Sequence, residues 1–311
     1  MKARILNVLR RESGLCSGEA LSRELGVSRV TIWKHLQALQ DLGYVVEAGS
    51  RGYRLLATPD ALYPWEFPGR EDRIHYYPGI DSTMNAAREL ARRGCPHFTA
   101  VVADRQTGGR GRMDRSWHSE IGGLYVTLVL RPNLPVVESH KVCFAAGLEL
   151  VHTIRETVGV AATVKWPNDL LVGERKLAGM LSEMEASGDL VTFVNIGIGL
   201  NVNNDPTDRE PSSVCLKSLL GQTVSRRELL SDFLDRFEKR VADSNLEGVV
   251  SEWKSFTNTL GRDVCIRTLS GTLNGRAEEV DYDGALRVRG ADGRLHRVLF
   301  GDCFHKGDAP V

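Results

Sequence analysis

Gly108-Gly109-Arg110-Gly111-Arg112-Met113-Asp114-Arg115-Ser116-Trp117 is the stretch whose reading organises the rest of the chain. Glycine and arginine crowd it, and an indole closes it. It has no apolar period, so it reads as neither an ordinary helix nor an ordinary strand. Glycine permits positive φ and close approach of backbone to a ligand. Arginine stays charged and presents a planar fork of donors suited to phosphate or carboxylate. Two readings follow from these residues: a solvated basic surface loop, or a loop that grips an anion.

The surroundings narrow the choice. Asp104-Arg105-Gln106-Thr107 leads into the stretch from the β-branched run Thr99 to Ala103, which places Gln106 at a strand end beside the loop. Upstream, Asp81-Ser82-Thr83 precedes a helical pattern from Met84 to Arg93. Ser82 and Thr83 are either plain caps or polar ligand contacts at a helix N-terminus, where backbone donors converge. Downstream, Leu124 to Leu130 reads as a strand and Glu138 to Thr157 as a long, largely buried helix. In Lys165-Trp166-Pro167-Asn168-Asp169, the lysine ends an apolar run and either points into a cleft or snorkels to solvent. Asp169 either caps a turn or helps hold Mg²⁺. Lys176-Leu177-Ala178-Gly179-Met180 opens another strand, and Phe193 to Val202 alternates apolar residues with Asn and Gly. Together these elements predict a mixed sheet with helices packed on it.

The flanks read differently. Ser17 and Ser28 are N-cap candidates for two short helices separated by Gly26, a helix-turn-helix spacing. Tyr44 to Val46 and Tyr53 to Leu56 form a small hairpin behind them, so residues 1–60 are expected to be a winged helix. Basic residues outnumber acidic ones in that segment. Ser28, Arg29, Thr31, Trp33, Lys34 and Gln37 fall off the apolar face of the second short helix and are the DNA-contact candidates, with Trp33 alternatively stacking on the wing or a partner. Pro59, Pro64, Pro68 and Gly69 mark residues 57–70 as a linker. From residue 259 to 311, short strands with turns at Asp283-Gly284 and Asp292-Gly293 predict a small SH3-like barrel. The fold class is therefore α+β, with boundaries near 1–60, 71–258 and 259–311.

Several function classes drop out. The 311 residues carry equal numbers of basic and acidic side chains, 40 of each, so no global field points to nucleic acid or membrane. No apolar run approaches the roughly 18 residues of a membrane span. The six cysteines are scattered without a Cys-x-x-Cys pair, which favours free thiols in a reducing cytoplasm. There is no Walker phosphate loop, no Gly-x-Ser-x-Gly elbow and no His-x-x-x-His pair. Any chemistry must come from positioning and positive charge.

Over its full length the chain resembles the bacterial bifunctional biotin–protein ligase and biotin operon repressor family. Gly109 to Trp117 fits the family pattern Gly-Arg-Gly-Arg, two free positions, Arg, one free position, Trp. Lys165 to Leu170 fits a second signature, and Lys176 to Gly179 the segment after it. The resemblance implies a class II synthetase-like core that joins biotin and Mg·ATP into biotinyl-5′-AMP and transfers biotin to a lysine of a biotin carboxyl carrier protein. It implies that Ser82, Thr83 and Gln106 contact biotin, and that Gly109, Arg110, Gly111, Arg112, Arg115 and Trp117 form the loop over biotin and adenylate. It implies that Lys165 acts at the reacting carboxylate and phosphate. On charge grounds Arg112 joins it there, and Asp169 is the candidate for Mg²⁺ or for orienting the incoming lysine ammonium. The resemblance further implies an adenylate-bound homodimer that binds operator DNA, with the adenylate as corepressor. Where the family often has Asn after Ser-Thr, this chain has Met84. A lipoate–protein ligase, or a biotin-sensing regulator without ligase activity, are the alternatives.

Overall fold

The computed structural model describes residues 1–12, 14–242 and 246–306. They form two compact units, Met1–Asp72 and Arg73–Val311.

The first unit packs helices α1 (Lys2–Arg11), α2 (Gly18–Leu25) and α3 (Arg29–Gln40) beside a hairpin of β1 (Val45–Gly49) and β2 (Gly52–Ala57). Ser17 caps α2 by accepting from the Ala20 amide, and Gly26 ends it at φ 68°. Ile5, Leu9, Leu21, Ile32, Leu36 and Leu39 meet in one core, the result of apolar residues recurring at helical spacing. Residues 57–70, expected as a linker, are more ordered than their prolines suggest. Pro64–Glu66 forms a 3-10 turn, and Leu62 and Phe67 are buried. The buried Glu66 carboxylate accepts from Arg10 at 2.7 Å and from the Tyr44 hydroxyl, which ties the turn back to α1.

The second unit opens with β3 (Ile74–Tyr77), α4 (Thr83–Arg92), β4 (Thr99–Ala103), β5 (Leu124–Leu130), α5 (His140–Val158), β6 (Thr163–Lys165), β7 (Asp169–Val172), β8 (Arg175–Ser187) and β9 (Leu190–Leu200). The strands form a mixed sheet in the order β3-β4-β5-β9-β8-β7-β6. Only β3 and β4 are parallel, and α4 is their crossover. β4 and β5 are buried along their whole lengths, which accounts for their unbroken apolar runs. Ala87 and Ala91 of α4 pack on Val101, Val129 and Phe193, fixing the N-terminus of α4 over the sheet.

Helices α6 (Leu216–Leu220), α7 (Arg226–Ala242) and α8 (Val249–Lys254) follow, in a segment for which the sequence reading assigns no individual element. The chain continues through β10 (Asp263–Thr268), β11 (Gly271–Val280), β12 (Leu286–Gly290), β13 (Leu295–Val298) and β14 (Asp302–His305), an antiparallel sheet ordered β13-β12-β11-β10-β14. Four of these strands are expected from the sequence, at Val264 to Leu269, Thr272 to Val280, Ala285 to Arg289 and Arg294 to Phe300. The Trp166 indole fastens this sheet to the core by donating to the Gly284 carbonyl at 2.9 Å. All six cysteines are free thiols. Among the described residues no helix is long and apolar enough to cross a membrane.

Candidate active site

One cavity of about 1100 Å³, including its open mouth, lies between the N-terminus of α4, the Gly/Arg loop, strands β8 and β9, and residues 206–213. It gathers Ser82, Thr83, Gln106, Arg110, Gly111, Arg112, Arg115, Trp117 and Asp169 from the residues singled out by sequence.

Its polar end is a relay of short side chains. Gln106 accepts at Oε1 from the Thr83 amide (2.8 Å) and the Thr83 hydroxyl (3.0 Å), and its Nε2 donates to Ser119 Oγ at 2.8 Å. The Thr127 hydroxyl donates to Thr83 Oγ1 at 2.9 Å. Ser82 stands at the N-cap of α4 without capping it; its buried Oγ has no partner among the described residues. Asp81 instead receives hydrogen bonds from Asn85 and the Ser82 amide, which hold its carboxyl below the usual carboxylate range. A buried hydroxyl beside fixed donors and acceptors suits a neutral ligand group rich in both.

The loop is a miniature hairpin. Arg110 bridges Ser116, Gly111 N–H donates to the Arg115 carbonyl at 2.7 Å, and Arg115 N–H donates to the Arg112 carbonyl at 3.1 Å. The left-handed positions at its tip are Met113 (φ 50°) and Asp114 (φ 59°), the pair demanded by a type I′ turn. The glycines therefore serve close approach and not positive φ. A Cβ on Gly109 would lie 2.4 Å from the Trp117 carbonyl oxygen. Gly109 does not line the cavity; it lets the two arms of the hairpin close.

Trp117 lies flat over the sheet. A Cβ on Gly199 would sit 2.3 Å from its Nε1, and one on Gly179 3.0 Å from its Cζ3. These two glycines are direct partners across β8 and β9, so together they form a seat for the indole. The Trp117 Nε1 donor is buried without an acceptor among the described residues.

Charge is distributed unevenly. Arg110 pairs with Glu183 at 2.7 Å, Arg115 with Asp302 of β14 at 2.5 Å, and Lys176 with Asp169 at 2.9 Å. Among the described residues Arg112 has only the neutral Asn168 Oδ1 as its side-chain acceptor, at 3.0 Å. The nearby Cys143 thiol offers no counter-charge, because burial pushes it up to about 11 against the pull of Arg112. Among the described residues Arg112 is thus the one cavity arginine without a carboxylate partner.

Two of the residues singled out by sequence are placed differently from the rest. Lys165 is buried on β6 and is absent from the cavity lining, whereas Lys176 lines it and stands 5.4 Å from the Trp117 ring centroid. Asp169 lines the cavity, but its carboxylate is engaged by Lys176, and the described residues form no cluster of three His, Cys, Asp or Glu side chains. A Mg²⁺ ion here would have to take most of its ligands from the nucleotide phosphates and water. Asn168, Lys176, Ser119 and Thr127 are cavity or relay residues to which the sequence reading gives no role.

In the first unit, Arg29, Trp33, Lys34 and Gln37 form an exposed stripe on α3. Ser28 and Thr31 also bond one another. Ser28 Oγ accepts from the Thr31 amide at 3.1 Å and lies 2.9 Å from the Thr31 hydroxyl, which is N-cap geometry.

Comparison with known proteins agrees with this architecture. Residues 76–201 match the biotin/lipoate A/B protein ligase family, residues 2–54 a helix-turn-helix domain, and residues 259–306 the biotin protein ligase C-terminal domain. The chain is 37% identical to the bifunctional ligase/repressor BirA of Bacillus subtilis, over 89% of this chain and 90% of that one. It is 30% identical to the Escherichia coli protein of the same description, over 87% of each. The structure of a biotin protein ligase from Aquifex aeolicus in complex with biotin and ATP superposes with a TM-score of 0.63 at 27% identity, covering 75% of this chain and 98% of that one. The chain belongs to the bifunctional biotin ligase/repressor family.

Proposed function

We propose that the cavity joins biotin to AMP and passes the biotinyl group to a lysine of a carrier protein. The observation that carries this reading is a single cavity with a neutral hydrogen-bonding end at Ser82, Thr83 and Gln106 and a cationic end at Arg112, beside the Lys176–Asp169 ion pair. Biotin has matching ends: a urea with two N–H donors and one carbonyl acceptor, and a carboxylate. Trp117 walls the space between them.

A biotin carboxylate oxygen attacks the α-phosphorus of ATP; the bond to the bridging oxygen breaks and pyrophosphate leaves. The carrier's lysine nitrogen then attacks the acyl carbon, AMP departs, and the lysine loses a proton to form the amide. The first step brings two anions together. Arg112, unneutralised within the protein, offsets that repulsion, and Lys176 reaches the same region because their partners Asn168 and Asp169 are adjacent in sequence. The loop over the cavity keeps water from the mixed anhydride.

The winged helix supports a second role, repression at an operator, with the α3 stripe in the major groove and two chains reading two half-sites. Dimerisation with adenylate bound belongs to this proposal.

Supplying the chain with a biotin carboxyl carrier domain, ATP and either labelled biotin or labelled lipoate tests the enzymatic reading. Label from biotin alone, stable to denaturation and lost when the acceptor lysine is replaced, is expected. Lipoate incorporation instead would make it a lipoate ligase. Binding of biotin with no transfer and no adenylate would make it a sensor.

A further inference from the structure

Glu183 has two partners that belong to different walls of the cavity. Its Oε1 pairs with Arg110 of the loop at 2.7 Å. Its Oε2 receives Arg88 of α4, with the Nε contact at 3.2 Å. Glu183 itself is on β8, opposite Asn195 of β9, on the sheet that floors the cavity. One carboxylate therefore ties the loop and the ligand-facing helix to the same strand.

The other loop anchors differ in kind. Arg112 bonds a neutral amide and Arg115 reaches the C-terminal sheet. A guanidinium already matched by a carboxylate adds little net attraction for an anionic ligand, but it does fix the position of the loop that carries it. We propose that Glu183 is a positioning residue that latches the loop: through Arg110 it holds residues 108–117 closed over the cavity, and so sets how long a bound adenylate is retained. Arg110 is then mainly a latch, and Arg112 the anion receptor. The retention half of this statement rests on the adenylate reading above; the latch itself does not.

Hydrogen exchange of the loop amides in the ligand-free chain separates the two. A half-buried ion pair of this type shifts a closed–open equilibrium by about fivefold. Glu183→Gln is expected to speed exchange across 109–117 by about that factor, Arg110→Gln to do the same, and the double variant to do no more than either. Arg88→Gln is expected to leave loop exchange unchanged, which removes helix docking as the cause. Release of preformed biotinyl-adenylate is expected to quicken in Glu183→Gln in the same proportion, while its rate of adenylate formation at saturating biotin and ATP changes less than twofold. The latch is refuted if Glu183→Gln exchanges like wild type, if Arg88→Gln loosens the loop equally, or if the two single effects add in the double variant. Faster loop exchange in Glu183→Gln, with no adenylate retained even by wild type, would uphold the latch and overturn the ligand reading.

Discussion

Replacing Gly199 with alanine is the sharpest way to disturb the cavity without disturbing the fold. The added methyl carbon would lie 2.3 Å from Trp117 Nε1 and 2.4 Å from Cε2, well inside contact distance, so the indole must leave its seat. Gly199 is not among the glycines with positive φ, so alanine fits its backbone. Alanine for glycine in a strand tends to stabilise by roughly 0.5–1 kcal/mol. Fully burying a large apolar side chain stabilises by about 1.5–3 kcal/mol, and Trp117 is half-buried, so its displacement should cost about 1–2 kcal/mol of ligand binding. That corresponds to an increase in Kd of about 5–30-fold. Titration calorimetry with biotin and a thermal melt read the two quantities separately. Affinity should fall while Tm holds or rises. Gly179→Ala, whose new carbon would meet the ring only at 3.0 Å, should show a smaller loss. Wild-type affinity in Gly199→Ala would refute the seat and with it the role of Trp117 as a cavity wall.

Three further outcomes follow from the geometry. Lys176→Met should slow adenylate formation, but by less than Arg112→Ala does, because Asp169 already pairs with its ammonium. Lys165→Met tests the role that the resemblance gives this residue: stopped-flow pyrophosphate release slowed by about 10²–10³ with Tm preserved would support it, and a lowered Tm with an unchanged rate per folded molecule would make it structural. Gln106→Leu removes the acceptor of Thr83 and the donor to Ser119, and should raise the biotin KM by about 10-fold with little change in kcat. In the first unit, Arg29→Ala and Lys34→Ala should each reduce the salt slope of operator binding by about 1, whereas Ser28→Ala should cost the winged helix about 1 kcal/mol of stability through its lost cap. Equal salt slopes in all three would mean that α3 does not contact phosphates.

What the sequence discloses and what it hides can be traced residue by residue. The caps Ser17 and Ser28 and the turn at Gly26 are local, so they read correctly from neighbours alone. β5 reads correctly because burial on both faces gives an unbroken apolar run. α7 does carry apolar residues at helical spacing, Leu229, Leu230, Phe233, Leu234 and Phe237, yet the strand-centred reading around it assigns nothing there. The placement of Lys176 is different. The register of β7 against β8 slips between Leu170 and Leu171, bringing Lys176 opposite Leu171, and such a bulge changes which face a side chain takes. No periodicity in the chain announces it. The partners of the loop arginines are equally silent, because Glu183 and Asp302 are brought to Arg110 and Arg115 by tertiary structure. The composition of the loop suggests an anion site; the pairing adds that, among the described residues, Arg112 is the cavity arginine without a carboxylate partner.

Biotin-dependent exchange of labelled pyrophosphate into ATP, measured on wild type and Arg112→Ala, tests that central claim most directly. Exchange that requires biotin and falls by about 10²–10³ in the variant, with Tm preserved, is the predicted result. Exchange at the wild-type rate in a folded Arg112→Ala chain, or none in the folded wild type, would contradict it.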